Sequence, residues 1–374
     1  MTAVVCDLTV AALCTINKSL YVTRSNRHLG RTSRYGDPTT SKTFPRLLDL
    51  LADPGLVLIH QELGSRTADG KRRRTVIRPS ATLLRIIRKH SVSLEDIGEL
   101  LRTEPIELKG QPFGRKKRNK LIDYDETDFT TKARKHIQEI NNALANADIR
   151  YTGPEVVDIN QRQLRRSFNR ESFESGGRLW GGFWQSMSKK DRLRYIRIDG
   201  KEVVEVDYGQ VMPRLLYAIK GVAPPMQDLY DIPGIDGERQ GIKKVMSSMQ
   251  FVEKPLSRFP QGTCRYFGRD VRVKDVENAI LSTHPDIADT FHRGLGHRCQ
   301  FMESQILVEV LRVLNGMGVV PLPIHDAILV PASAVDLAQR VMLYTFKRHT
   351  GQDGEVDVLT KHDFGPDDDL QLAA

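Results

Sequence analysis

Cysteine is scarce in this chain. Only Cys6, Cys14, Cys264 and Cys299 occur among 374 residues, and no two stand at metal-ligand spacing. They read as free thiols in a reducing compartment. Long apolar runs are missing as well. None reaches the roughly 18 residues of a membrane-spanning helix, so no membrane span is expected. The N-terminus lacks a basic segment followed by an apolar one, which argues against secretion and for a cytoplasmic protein. No internal repeat or long low-complexity tract stands out. What the chain does have is positive charge, a formal net +9, which suits a polyanionic partner. Its length allows two or three domains and a sizeable core.

Val4 to Asn17 and Ser41 to Ala52 read as helices, the second with Pro45 in its first turn. Leu56 to Leu63 is strand-like and Thr75 to Ile77 resumes the pattern, with a turn-rich loop between them carrying Lys71, Arg72, Arg73 and Arg74. Ala81 to Lys89 is again helical. Helices followed by a basic hairpin are similar to a winged helix, with one helix in a DNA groove and the wing on phosphate. The basic run reads equally as a solvated hairpin tip. Residues 1–90 are therefore expected to form a small winged-helix-like domain. Residues 91–150 follow as a connector, broken by Pro105, Gly110, Pro112 and Gly114 and closed by an amphipathic helix from Glu126 to Asn146. Beyond it, FESGGRLWGGFWQSM alternates glycine pairs with Arg178, Trp180 and Trp184. Such a stretch could hold a single strand by stacking and phosphate contact, or simply bury two tryptophans beside a turn.

Three later stretches carry chemistry. In VVEVDYGQVMPRLLYAIKG, Val203 to Gly221, an alternating strand ends on Asp207, with Glu205 on the same face. A helix follows, with Pro213 in its first turn and Gly221 at its end. In Glu238 to Phe251, a helix would place Arg239, Lys243, Ser247 and Phe251 along one face. In Val319 to Ser333, two short apolar runs flank His325 and Asp326, which puts an acid at a hairpin turn where it needs a compensating cation. A helix is expected before this hairpin, Phe301 to Leu314. Another is expected after it, from Ala334 to His349, with Ser333 as N-cap. Two strand-end carboxylates and a cationic helix fit phosphoryl transfer, which needs charge neutralisation and in-line alignment more than covalent help. Two Mg²⁺ ions about 3.5–4 Å apart supply both, and Mg²⁺ needs only one or two carboxylates besides substrate phosphates.

The chain here resembles family A DNA polymerases. Their first motif, Asp-Tyr-Ser-Gln-Ile-Glu-Leu-Arg, stands as Asp207, Tyr208, Gly209, Gln210, Val211, Met212, Pro213, Arg214. Their finger motif of Arg, Lys, aromatic and Tyr at four-residue steps is matched by Arg239, Lys243, Ser247 and Phe251. Their His-Asp-Glu hairpin is matched by His325, Asp326 and Ala327, and the Gln opening the preceding helix by Gln300. The resemblance spans Arg192 to Met342. It implies an α+β fold, a polymerase-like palm with an antiparallel sheet and helical fingers over residues 151–362. An acidic tail, 363–374, would follow.

By that resemblance Asp207 and Asp326 are catalytic and hold two Mg²⁺ ions, with the Tyr208 carbonyl as a further ligand. Arg239 and Lys243 would grip a deoxynucleoside triphosphate and Phe251 would pack on the nascent pair. Met212 stands where the family's Glu crowds the sugar 2′ position. Gln210, Arg214, Gln300 and His325 would touch primer or template DNA. Ala327 and Ser247 depart from the pattern, and Glu205 is a candidate for the missing acid. The implied activity is template-directed DNA synthesis by a nucleoid-associated protein that copies a phage, plasmid or integrated element. Two rivals remain: a non-catalytic DNA-binding replication factor with a degenerate palm, and a metal-dependent nuclease. Single-subunit phage RNA polymerases share the Arg–Lys helix and the His-Asp hairpin, but their first motif does not read Asp-Tyr-x-Gln.

Overall fold

A computed structural model describes residues 1–14, 19–30, 33–36, 39–65, 73–100, 104–112, 119–225 and 228–365. It is α+β, helices packed with several largely antiparallel sheets. The chain starts with α1 (Thr2–Cys14), β1 (Leu20–Val22), α2 (Asn26–Leu29), α3 (Phe44–Ala52), β2 (Ile59–Glu62), β3 (Thr75–Pro79) and α4 (Ala81–Lys89). The strands form an antiparallel sheet in the order β1-β3-β2. Pro45 lies in the first turn of α3, where its missing N–H leaves no bond unmade. Phe44, Leu48 and Leu51 then face inward at helical spacing. The strand expected from Leu56 begins only at Ile59, because Val57 adopts φ 45°, which a strand does not admit. Ser80 caps α4: its Oγ accepts from the Leu83 N–H at 3.2 Å. Leu8, Leu48, Ile59, Ile77 and Ile87 close a small core of their own.

The rest shares one large buried cluster. Its elements are β4 (Ile106–Leu108), α5 (Asp128–Asn146), β5 (Ile149–Tyr151), β6 (Arg165–Asn169), β7 (Ser172–Trp180), α6 (Lys189–Tyr195), β8 (Ile196–Ile198), β9 (Lys201–Tyr208), α7 (Val211–Lys220), α8 (Arg239–Phe251), α9 (Val273–Thr283), α10 (Gly296–Gly316), β10 (Leu322–Ile324), β11 (Ala327–Pro331), α11 (Val335–Thr350) and β12 (Val356–Leu359). One sheet runs β10-β11-β9-β8-β5, with β12 also on β9; another runs β4-β6-β7. Ile106 of β4 and Ile137 of α5, which the sequence places in a connector, belong to the same cluster as Val206 of β9.

Several expectations shift in detail. The helix expected from Phe301 begins a turn and a half earlier, at Gly296, and α10 packs against β7, α5, α7 and α11. Ser333 does not cap α11. A 3₁₀ turn over Ala332–Ala334 intervenes, Ala334 takes the cap position, and the Ser333 hydroxyl accepts from Lys201 Nζ at 3.1 Å instead. FESGGRLW is strand β7, bulged where Gly176 and Gly177 adopt φ 77° and 85°. Trp184 is a core side chain whose indole N–H donates to the Pro323 carbonyl at 2.9 Å, while Trp180 stays 39% exposed. Asp363, the first residue of the expected tail, closes a 3₁₀ turn, its carboxylate accepting from the Thr360 N–H. Residues 366–374 lie outside the described residues. Among the described residues no helix is long and apolar enough to cross a membrane.

Candidate active site

The central strand β9 is buried on both faces, at Val203 on one and at Val204 and Val206 on the other. Antiparallel pairing sets Ala327 of β11 directly across from Asp207. Asp326, one residue earlier, is therefore carried to the same end of the sheet. It occupies the second position of the two-residue turn between Ile324 and Ala327, after His325 at φ 57°. A non-glycine residue in that region is strained, and such strain concentrates at functional positions. The Tyr208 N–H approaches the Asp326 carbonyl at 3.5 Å. Burial, and then repulsion from Asp326, pushes the Asp207 carboxyl up to about 7, against the pull of Lys189 and Lys243. Its Oδ1 is buried with no hydrogen-bond partner.

Such an oxygen beside a second acid invites a cation. No protein-family model matches the chain, and no curated protein matches it either.

On α8, Arg239 and Lys243 do share a face. The guanidinium lies 5.0 Å from the Tyr230 ring centroid and the ammonium 5.9 Å from it. Lys243 is exposed. Arg239 is not free, since it forks onto Asp228, with Nη2 donating to Oδ1 at 3.1 Å. Gly241, a poor helix former, is required there: a Cβ would stand 2.7 Å from that of Tyr266. Phe251 packs edge-on to His297 with ring centroids 5.0 Å apart, and Gln300 lies half-buried in the same turn of α10. These side chains form the junction of α8 with α10.

Other expected contacts are taken up within the fold. Gln210, at φ 54°, donates through Nε2 to Glu355 at 2.9 Å and accepts from the Leu229 N–H at 2.6 Å. Arg214 meets the same Glu355 carboxylate at 2.6 Å. Met212 is half-buried against the main core. Tyr208 turns its ring inward, and its hydroxyl donates to the Met342 carbonyl at 2.7 Å. Glu205, a candidate acid, is already neutralised by Lys189 at 2.7 Å and Arg192 at 3.0 Å. Its strand position is right for an acid, but two cations occupy its oxygens. In the N-terminal hairpin, Arg73 and Arg74 are exposed, and Lys71 and Arg72 lie outside the described residues.

Arg178 has a partner that the sequence hides. Its Nε and Nη2 reach Glu303 of α10, both at 2.8 Å. Desolvation would lower the Arg178 pKa, but Glu303 more than offsets this and holds it above its ordinary value. For Glu303 burial wins: desolvation outweighs Arg178 and, with Asp326 adding repulsion, pushes the carboxyl up to about 7. The two partners thus move in the same upward sense; the paired 2.8 Å contacts identify the bridge as ionic once pH exceeds that value. Beside it, Trp180 sits edge-on to His325 with ring centroids 4.7 Å apart. Asp357 of β12 was also missed. It lies across from Asp207 on the edge opposite Ala327, is exposed, and adds to the field that holds Arg239 charged. Nothing local in the sequence marks it, because only sheet pairing brings it there.

Among the described residues no group of three or more His, Cys, Asp or Glu is placed to hold a metal ion. Asp207 and Asp326 would have to rely on substrate oxygens for the remaining ligands. That suits Mg²⁺, and the orphaned Asp207 oxygen fits a hard cation.

Proposed function

We propose that this chain is a template-directed DNA polymerase, extending a primer 3′-hydroxyl with deoxynucleoside triphosphates. The observation that carries the reading is the meeting of Asp207 and Asp326 at one sheet end, with a buried carboxylate oxygen left unpaired. Asp207 and Asp326 would hold two Mg²⁺ ions, which when bound activate the hydroxyl and offset charge developing on the phosphates. Exposed Lys243, whose charge acts on Asp207, would meet triphosphate oxygens. Arg239 would join it by leaving Asp228. The Trp180 and His325 rings offer a stacking surface for a base.

Two further features support the reading. The sheet of β9 and the β10–β11 hairpin, with α10 and α11 packed near it, suits a palm, and α8 suits a finger helix. The order α1–β1–α2–α3–β2–β3–α4, with β1-β3-β2 pairing, suits a winged helix whose wing bears Arg73 and Arg74. A protein of this kind would bind primer-template and duplex DNA and serve an element that directs its own copying.

Primer extension with Mg²⁺ tests the proposal. Asp207→Asn and Asp326→Asn should each reduce extension at least about a hundredfold while DNA binding persists. Extension that survives both substitutions refutes it. A second reading, a DNA-binding replication factor without catalysis, is favoured by Ala327 and by the absence of a third ligating side chain among the described residues. DNA binding with no extension under any divalent metal would select it.

A further inference from the structure

Away from Asp207, a cavity of about 480 Å³ opens between α5, α10 and α11, within the usual size of small-molecule sites. Four full cations line it, Lys132, Arg166, Arg312 and Arg348, and Glu309 is its one carboxylate. Glu309 is already shared between Arg348 at 2.7 Å and His349 at 2.8 Å. Arg312 leans on Glu139 at 2.9 Å. Lys132 is exposed and forms no ion pair among the described residues. Arg166 is the unusual member. It is 1% exposed, yet its partners are all neutral: the Gly177 carbonyl at 3.0 Å, Ser304 Oγ at 2.7 Å and Gln305 Oε1 at 2.7 Å. Burial pulls its pKa down to about 9, and no carboxylate offsets that pull. A buried guanidinium without a counter-charge is costly to a fold unless an anion completes it.

We propose that this cavity binds a phosphorylated small molecule of nucleotide size, with its phosphates held by Arg166, Lys132 and Arg312. Phe129, Val308 and Val313 line the same cavity between these cations and suit a base or another flat ring. Guanidinium pairs with phosphate through two parallel hydrogen bonds, and a cluster of such donors selects phosphate esters over neutral ligands. The assignment stands independently of the polymerase reading, since none of these residues touches Asp207 or Asp326.

Isothermal titration of the full chain in a metal-chelating buffer tests it, with ATP, inorganic pyrophosphate and adenosine as probes. ATP and pyrophosphate are expected to bind and adenosine not to. Lys132→Ala and Arg312→Ala, both at the rim and outside the proposed catalytic machinery, should each weaken ATP about tenfold. Lys274→Ala, at an exposed position of α9 outside both sites, should leave it unchanged. Adenosine binding as well as ATP, or rim variants that bind like wild type, would overturn the proposal. So would loss of ATP binding in Lys243→Ala, which would place the ligand beside Asp207. A single-stranded oligonucleotide that binds through Lys132 and Arg312 where free ATP does not would overturn it too, and assign the surface to nucleic acid.

Discussion

The Arg178–Glu303 bridge makes a prediction whose size and pH dependence both follow from the structure. Arg178→Met removes the guanidinium and leaves a carboxylate that is 2% exposed without its cation. Breaking a buried pair from one side costs about 3–5 kcal/mol. That cost belongs to the ionised carboxylate, so it must depend on pH. Glu303 titrates from an ordinary 4.5 up to about 7 in the fold, raised first by burial, then lowered by Arg178 and raised again by Asp326. The folded value lies above the unfolded one. Between them the native chain keeps a proton that the unfolded chain has released. The stability that this proton represents is complete below the unfolded value and is lost as pH rises through the folded one, an interval of about 3 kcal/mol. Without Arg178 the folded value climbs further, and the loss extends to higher pH. Urea unfolding at about pH 5 and about pH 8 separates the terms. Protonation of Glu303 caps that cost in the variant: its loss can exceed that of wild type only over the one pH unit from about 7 to about 8, so Arg178→Met should fall about 1 kcal/mol further below wild type in base than in acid. Adding Glu303→Gln should recover most of the deficit in base. Equal losses at both pH values, or no recovery in the double variant, would show that Arg178 contributes packing rather than charge.

Other expectations are simpler to check. Ser80→Ala removes the acceptor of the Leu83 N–H and should cost about 1 kcal/mol in urea unfolding. Gly177→Ala puts a Cβ 2.6 Å from Ser304 Oγ at a residue with φ 85°, and should lower stability by about 2–3 kcal/mol by the same measurement. Asp357→Asn, at an exposed position across from Asp207, should leave unfolding within about 0.5 kcal/mol of wild type yet slow primer extension several-fold.

What could be read from the sequence follows the range of the physics involved. Local rules suffice for Pro45 in the first turn of α3, Gly221 ending α7 at φ 67°, and a hairpin turn at His325–Asp326, because each depends on a few neighbouring residues. The alternation that puts Asp207 at the end of β9 is equally local. Partners set by tertiary packing are not. Glu303 sits 125 positions from Arg178, on a helix face that otherwise reads as apolar core. Glu355 gathers Gln210 and Arg214 only because β12 returns to pair with β9. Glu205 shows the distinction within one side chain. Its strand position makes it a plausible third acid, but whether its charge is available depends on α6, whose Lys189 and Arg192 reach it from outside the strand. With Glu205 neutralised, the unpaired negative charge at this end of the sheet is left to Asp207, Asp326 and the exposed Asp357. A cation bound there would have to draw its remaining ligands from whatever the site binds, so metal affinity should rise when a triphosphate is present. Titrating Mn²⁺ with and without a nonhydrolysable deoxynucleoside triphosphate measures that coupling, and equal affinity in both titrations would contradict a shared site.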